Sequence, residues 1–495
     1  MNTRASQHER RWWILAVIGL AQLMVVLDAT IVNIALPSAQ RALHFSNDNR
    51  QWVVTAYALP FGSLLLLGGR IGDLFGRKWT FIGGLLGFSI ASGVGGAATS
   101  FGMLVAARGA QGVFGAILAP SALALLTTTF SDMSERRKAF AVWGSIASAG
   151  AAVGFLLGGV LTQAASWRLT LFVNVAIALP AALAGLWLLV NEGQRHRPPL
   201  DLPGTATSSL GLFALVYGFS HASTHSWSDP LTIGMLTASA VLLVAFALIE
   251  SRAQHPLLPP RVVADRARGG SYLAVLIAGV AMFGAFLFLT YFLQRTKGYT
   301  PIQTGLAFLP LPVAVVVTAM TAQIVLLKRV GPRPLMTVGM LLGAGGMAWL
   351  AQLVPSAGYA GHVLPAMVIL GVGMGSTIAP AMFTATYDVP PTDTGVASAM
   401  VNTMQQVGGA IGASGLTTIF AGAVRSYLHD HAVSPGAIGA ASVHGYTTAF
   451  WVSAAVFAAG AILVGVLVPS ISAPAATLQP AEFSGSAREP APSRA

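Results

Sequence analysis

Residues 27–37 read Leu27-Asp28-Ala29-Thr30-Ile31-Val32-Asn33-Ile34-Ala35-Leu36-Pro37, and they close an apolar run that begins at Trp12. Asp28 is the one carboxylate that the sequence places well inside a hydrophobic stretch. A charge at the centre of a bilayer costs roughly 2.5 to 3.5 kcal/mol on insertion scales, so such a residue usually pairs with another polar group or has a functional role. A structural aspartate paired with an arginine is the simpler alternative, but an ionisable group at this depth favours a functional site.

The composition is that of a membrane protein. Hydrophobic residues make up 55% of the chain and charged residues 9%, against about 25% charged residues in a soluble domain. The net charge of +11 is spread over short loops and forms no basic patch or arm, so we expect no nucleic-acid partner. The chain has no cysteine, which excludes disulfides, thiol catalysis and cysteine-ligated metals. The first apolar run is too long for a cleaved signal peptide.

Apolar runs of about 20 residues, the length that spans a bilayer as a helix, recur from end to end. We predict an all-α integral membrane protein with fourteen transmembrane helices. The predicted spans are Trp12–Leu36, Trp52–Gly69, Thr80–Thr99, Met103–Thr128, Ala139–Gln163, Leu169–Val190, Gly204–His221, Leu231–Ile249, Tyr272–Leu293, Thr304–Leu327, Leu335–Val354, Val363–Thr386, Ser398–Ala423 and Thr447–Val468.

The basic residues predict the orientation. With an even number of spans, both termini lie on one side, and 20 of the 27 lysines and arginines fall on that side. Six fall on the other side, namely Arg41, Arg50, Arg168, Arg295, Lys297 and Arg425. Because cytoplasmic loops carry the excess of basic residues, we expect both termini in the cytoplasm and the protein in the cytoplasmic membrane.

Two long loops rich in proline and arginine divide the chain into six spans, an inserted pair and six more spans. We predict a cytoplasmic N-terminus (1–11), a first six-helix bundle (12–193), the inserted pair of spans 7 and 8 with its flanking loops (194–270), a second bundle (271–469) and a disordered cytoplasmic tail (470–495). The loop over 425–446, on the outer side, is predicted to be long and polar.

The loop after span 2 carries a specific spacing of glycine and charge. It resembles the signature loop of the major facilitator superfamily, Gly-x-Leu-x-Asp-x-x-Gly-Arg-Lys, with Ile71 in the leucine position. The residues concerned are Gly69, Gly72, Asp73, Gly76, Arg77 and Lys78. A degenerate copy after span 10 places Gly331 where Gly76 stands, which predicts a six-plus-six repeat of the kind from which secondary transporters are built.

The span 1 stretch narrows the resemblance to the fourteen-span drug:proton antiporters of that superfamily. This resemblance implies the major facilitator fold, alternating access and a coupling or substrate role for Asp28. It also implies that Asp73 contacts the N-terminus of span 13, near Thr394 to Ser398.

Span 4 carries Arg108, Gln111 and Gly112, which match the family's Arg-x-x-Gln-Gly element. Arg108 lies roughly 7 Å from the outer end of its span and Asp28 roughly 12 Å from the outer end of span 1, at 1.5 Å per residue. The superfamily fold places these two helices side by side, so we predict a pair in which Asp28 is protonated when Arg108 moves away. A static salt bridge is the alternative.

Span 5 places Gly150, Gly154 and Gly158 on one helix face, which suits close helix packing. With Gly159 they are similar to the family's antiporter motif, except that Phe155 stands where the family has proline. Without that proline, the usual kink is not expected.

Polar amides inside the spans are candidate cavity-lining residues, although about half of such amides bond only to a neighbouring helix. They are Asn33, Gln294, Asn402, Gln405 and Gln406. His429 and His431 have the wrong spacing and no third ligand for a metal, so we expect no metal site.

The leading functional hypothesis is proton-coupled efflux of small amphipathic compounds, cationic ones among them. We expect no cofactor beyond protons as the coupling ion, no obligate protein partner and no enzymatic activity. The alternatives are a dedicated exporter of one metabolite or self-made antibiotic, an importer, a membrane enzyme and a non-transporting sensor or receptor. A membrane enzyme would need an acid–base or nucleophile cluster at one membrane face, which the sequence does not offer.

Overall fold

The computed structural model describes residues 2–46, 49–130, 132–190, 201–253, 256–387, 389, 394–431 and 434–469. Over these residues the chain is helical and contains no strand. The predicted disordered tail, 470–495, lies outside the described residues. The helices are α1 (Asn2–Leu43), α2 (Trp52–Phe75), α3 (Arg77–Gly96), α4 (Phe101–Thr129), α5 (Met133–Ala164), α6 (Leu169–Leu188), α7 (Leu202–Thr224), α8 (Pro230–Arg252), α9 (Pro260–Val263), α10 (Arg266–Tyr291), α11 (Pro301–Phe308), α12 (Pro310–Thr321), α13 (Leu327–Val330), α14 (Pro332–Leu350), α15 (Leu364–Thr386), α16 (Thr394–Asp430) and α17 (Pro435–Leu467).

Ten of the described helices are long and apolar enough to cross a bilayer. Short π-helical turns, Phe292–Thr296, Ala322–Leu326 and Tyr359–Val363, extend α10, join α12 to α13 and precede α15. Each predicted span falls on a helix or on helices joined end to end. The prediction of an all-α membrane protein is therefore confirmed, while the count of fourteen crossings stays a prediction.

Equivalent helix pairs pack together in the two halves of the chain. In the first half α1 packs on α5 and α6, α2 and α3 pack on α4, and α3 packs on α6. In the second half α10 packs on α16 and α17, α12 and α14 pack on α15, and α14 packs on α17. The corresponding turn glycines share a left-handed backbone, with φ of 90° at Gly76 and 76° at Gly331, which glycine adopts without steric cost. Helix packing in the two halves therefore corresponds, while the exact six-plus-six division stays a prediction.

The two halves meet along a tight seam at one end of the bundle, which we call the closed end. There α5 lies against α11, and α1 contacts α10 and α11. Gly159 faces the backbone of Pro301, and Gly305 faces the backbone of Phe155. The Phe155 ring stacks on Phe308 with centroids 5.0 Å apart. The residue that replaces the family's proline therefore packs the seam, within an α5 that has no proline.

The inserted pair is asymmetric. α7 packs against both α2 and α16, with Val216 clustered on Leu59 and Ala410 and with Tyr217 6.0 Å from the Trp52 ring. α8 packs on α7 and buries only Thr232, Ser239 and Glu250. One helix of the pair thus covers the seam between the halves on the α2–α16 side.

The prediction of a long polar loop over residues 425–446 is wrong. α16 continues to Asp430, and α17 already begins at Pro435. The physical reason is a helix start signal: Ser434 Oγ accepts the amide of Ala437 over 3.1 Å, and proline follows at the first helical position.

Candidate functional site

Asp28 lies in a buried polar network that four helices supply. α1 carries Asp28, α3 carries Ser92, α4 carries Arg108 and Gln111, and α6 carries Asn174. Asp28 has 0% and Arg108 1% of their surface exposed, and the other three side chains are equally well buried. Solvent therefore has no access to the carboxylate in this conformation.

Three side chains hold the Asp28 carboxylate. Arg108 Nη1 donates to Asp28 Oδ2 over 2.6 Å. Asp28 Oδ1 accepts from Gln111 Nε2 over 3.0 Å and from Asn174 Nδ2 over 2.7 Å. The pair predicted from the depth of the two charged residues is formed, and two amides complete it. Charge-assisted bonds of this length are among the strong hydrogen bonds of proteins.

Arg108 is fixed from several sides. Its Nε donates to the Val53 carbonyl of α2 over 3.1 Å, and its Nη1 also donates to Gln111 Oε1 over 2.9 Å. The guanidinium lies over the Tyr57 ring, 4.5 Å from its centroid. Because the Val53 and Tyr57 contacts come from α2, the position of Arg108 depends on how α2 and α4 pack.

The donors and acceptors of the network fit an ionised Asp28. Gln111 and Asn174 each donate one amide hydrogen to Asp28 Oδ1. Each donates its other amide hydrogen to Ser92 Oγ, over 2.8 Å in both cases. The Ser92 hydroxyl in turn donates a hydrogen bond to the Leu171 carbonyl over 3.1 Å. Arg108, Gln111 and Asn174 therefore all donate to the carboxylate, and an ionised carboxylate can only accept.

One acceptor in the network is unused. The side-chain oxygen of Asn174 is buried and has no hydrogen-bond partner. A buried unpaired oxygen is unfavourable by roughly 1–3 kcal/mol. Rotating the amide by half a turn would present this oxygen to Asp28, which a protonated carboxyl, but not a carboxylate, would bond.

The loop motif lies at the opposite end of the bundle from the seam. Gly69 and Gly72 face α4 at Pro120 and Ser121, and Gly112 in turn faces the α2 backbone at Tyr57. Arg77 opens α3, and Lys78 Nζ donates to the Leu186 carbonyl in the last turn of α6 over 2.8 Å. The side chains of Asp73 and Thr394 lie outside the described part of the chain, so the predicted contact of Asp73 with span 13 stays a prediction.

The span 5 glycines face α1 and bring it close to α5. Gly150 lies against Val26, Gly154 against Thr30 and Gly158 against Ile31. In the second half, Gly408 and Gly412 face the α10 carbonyls of Leu276 and Val280 in the same way. The three glycines of α5 thus set the distance between α5 and α1, the helix that carries Asp28.

The five candidate cavity amides have different surroundings. Asn33 donates to the Ala29 carbonyl of its own helix over 2.9 Å and is buried. Gln294 donates across the seam to the Ile34 carbonyl over 3.1 Å. Asn402 and Gln405 are exposed on α16, whereas Gln406 is half-buried and packs against α2 at Gly62.

Sequence reasoning missed Ser92 and did not place Asn174 beside Asp28. Asn174 belongs to the stretch that resembles the family's antiporter motif, which is the signal that could have found it, whereas a serine within an apolar helix has no such pattern. Arg50 was predicted as an outer-loop cation, but it is a buried residue with 1% of its surface exposed. Among the described residues no group of three His, Asp or Glu side chains is placed to hold a metal.

The sequence from residue 18 to 413 matches the family model described as Major Facilitator Superfamily. The chain belongs to the Major Facilitator Superfamily. It is therefore a multi-pass membrane protein of a transporter family, as the sequence predicted.

Relatives within this superfamily include antibiotic exporters. The chain is 50% identical over 464 residues to the puromycin resistance protein pur8 of Streptomyces alboniger, covering 93% of this chain and 92% of that protein. It is 38% identical over 404 residues to the cephamycin export protein CmcT of Amycolatopsis lactamdurans, covering 81% and 83%. Among solved structures, the chain is similar to a bacterial homolog of the human lysosomal transporter Spinster in an inward-facing and unoccupied conformation. The alignment has a TM-score of 0.64 at 14% identity and covers 93% of this chain and 97% of that one. This last likeness concerns the fold.

Proposed function

We propose that this protein is a proton-coupled exporter of small amphipathic antibiotics or drugs, cationic ones among them. The proposal includes fourteen membrane crossings with both termini in the cytoplasm, as the positive-inside bias predicts. It is supported by the matching helix packing of the two halves and by relatives whose names state antibiotic resistance or export.

The observation that carries the coupling part of the proposal is the Asp28–Arg108 pair. Asp28 is fully buried, 2.6 Å from the only arginine within the predicted spans. Breaking a buried ion pair leaves an uncompensated charge, which is unfavourable by about 3–5 kcal/mol. A proton on Asp28 removes the share of that penalty that comes from the carboxylate, while Arg108 keeps its charge and needs the Tyr57 ring or other acceptors. Protonation and separation of the pair are therefore thermodynamically linked.

In the proposed cycle the state described here is closed at the seam end and holds Asp28 ionised. Rocking of α1–α6 against α10–α17 would open the seam and shift α2, whose Val53 carbonyl and Tyr57 ring position Arg108. Asp28 would then take up a proton from outside, and the amide of Asn174 would turn its unused oxygen toward the new O–H. Return of Arg108 would drive the proton out toward the cytoplasm.

The proposal is tested by drug accumulation in cells that lack their own efflux pumps. Cells that express the protein should accumulate less puromycin or a fluorescent lipophilic cation than cells with an empty vector. A protonophore should abolish the difference, because no other energy source is proposed. Equal accumulation with and without the protein, over a wide compound panel, would contradict export.

A narrower function is favoured by one observation, the 50% identity with a puromycin resistance protein over nearly the whole chain. A dedicated exporter would carry one compound class, and unrelated drugs would not compete. We therefore propose a competition series with puromycin, a cephamycin, lincomycin and a lipophilic cation. Mutual competition supports a multidrug exporter, whereas competition within a single class supports the dedicated one.

A further inference from the structure

Arg50 precedes α2 at the closed end, and its side chain enters a cage of aromatic rings. The guanidinium carbon lies 4.3 Å from the centroid of the Tyr291 ring, 4.6 Å from Phe420 and 5.6 Å from Phe288. Tyr446 also borders the guanidinium. The rings pack on one another, with Phe420 5.3 Å from Phe288 and 5.2 Å from Tyr446, and all four residues are buried.

The charge of Arg50 lies against ring faces and is also hydrogen-bonded to the hydroxyls of Tyr291 and Tyr446. Its Nε and Nη2 atoms are buried and have no hydrogen-bond partner, and within the described part of the chain it forms no ion pair. Ring faces attract a cation through their quadrupole, most strongly when water is excluded. Proteins that recognise quaternary ammonium groups use cages of the same kind. The cage is therefore built for a monovalent cation of about the size of a guanidinium.

The cation and the cage belong to different halves of the protein. Arg50 belongs to the first half, whereas Phe288, Tyr291, Phe420 and Tyr446 lie on α10, α16 and α17 of the second. A second contact across the halves lies beside the cage, where the Tyr291 hydroxyl donates to Gln40 Oε1 of α1 over 2.8 Å. Separation of the halves at this end must withdraw Arg50 and leave the cage empty.

We propose that this aromatic cage is a second cation site on the outer side, which Arg50 fills when the outer side is closed and which takes the cationic group of an organic compound when it is open. This inference rests on the proposed orientation and alternating access. Arg50 then acts as a built-in competitor: its return closes the seam and expels the bound cation. A competitor that occupies the site most of the time lowers the apparent affinity by the occupied fraction.

The test is choline binding to the purified full-length protein by isothermal titration. Choline carries a quaternary ammonium group, and 3,3-dimethylbutan-1-ol is its uncharged analogue of the same shape. Arg50→Gln should lower the dissociation constant for choline at least fivefold, because the competitor is removed. The same variant should bind choline at least fivefold more tightly than the uncharged analogue, because the ring faces attract only the cation. Adding Phe420→Leu to Arg50→Gln should abolish the gain, since the cage loses a ring face.

Two variants serve as matched controls. Arg425→Gln removes an exposed arginine from the same end of the protein and should leave choline binding unchanged. Arg50→Lys keeps a cation for the cage and should bind choline as the native chain does. Arg50→Met, a second uncharged variant, should bind choline at least fivefold more tightly and replaces Arg50→Gln in the test if that variant fails to fold. Unchanged choline affinity in Arg50→Gln, or a gain that survives Phe420→Leu, would overturn the proposal. Binding at equilibrium needs no proton gradient, so a failure of proton coupling would leave this result intact.

Discussion

The seam at the closed end makes a sharp prediction for Gly159→Ala. A Cβ at this position would lie 2.6 Å from the Pro301 oxygen and 2.8 Å from the Ile302 Cα. Ordinary contact begins at 3.4 Å, and backbone atoms cannot swing aside, so α5 and α11 must move apart by about 0.8 Å. Overpacking of this kind costs about 1–3 kcal/mol. At about 1.4 kcal/mol per factor of ten, the closed state should lose roughly 5- to 150-fold against the open one.

The assay uses the absence of native cysteine from the chain. Gln294→Cys reports on the seam from a different helix pair, because Gln294 donates to the Ile34 carbonyl of α1 across it. A membrane-impermeant maleimide applied from outside should label this cysteine at least fivefold faster when Gly159→Ala is also present. Gly102→Ala is the control, since open space surrounds Gly102. Labelling rates that agree within twofold in all three proteins would refute the reasoning.

Three further predictions follow from local contacts. Arg108→Lys keeps the charge but loses the guanidinium group that donates to both Asp28 and Gln111. The acceptors left without a donor should lower the free energy of unfolding by about 1–3 kcal/mol. Proton-driven export should fall at least tenfold, and native-like export would contradict this role. Burial, reinforced by the neighbouring carboxylate of Asp201, raises the pKa of Glu250 to about 7. The folded state thus binds a proton that the unfolded chain releases above about pH 4.5. The unfolding temperature in detergent should therefore fall as the pH rises from about 4.5 to 7 and then level off. Glu250→Gln should flatten that slope, and an equally steep slope in the variant would contradict the assignment. Gly331→Ala places a side chain at a φ of 76° and should lower stability by about 1–2 kcal/mol, whereas an unchanged unfolding temperature would argue against strain at this turn.

The sequence predicts the architecture well because the physics of the bilayer leaves few choices. Long apolar runs must become helices, since no water satisfies their backbone groups. The correspondence of Gly76 and Gly331 predicts the repeat, because both turns need a left-handed residue. The pair of Asp28 and Arg108 follows from their similar depth together with the resemblance to a fold that places their helices side by side, and the structure brings the two together.

Other features depend on tertiary contacts that the sequence does not place. Asn174 completes the Asp28 network from a helix 146 residues away, and only the packing of α6 on α1 brings it there. Arg50 counts as a loop cation by position, yet four rings from the other half bury it. The connection between α16 and α17 is short because Ser434 caps the N-terminus of α17. The polar composition of this stretch favours a loop in a prediction from the sequence, which overlooks the helix start at Ser434.

The coupling role of Asp28 is the central claim, and liposomes test it most directly. The purified protein would be reconstituted with an imposed pH gradient, and uptake of a fluorescent lipophilic cation and the internal pH would be followed together. We predict that drug movement drives counter-movement of protons in the native protein and that Asp28→Asn, which keeps the side-chain shape without the titratable group, abolishes both. Coupled flux that survives Asp28→Asn would place the coupling group elsewhere and contradict this account.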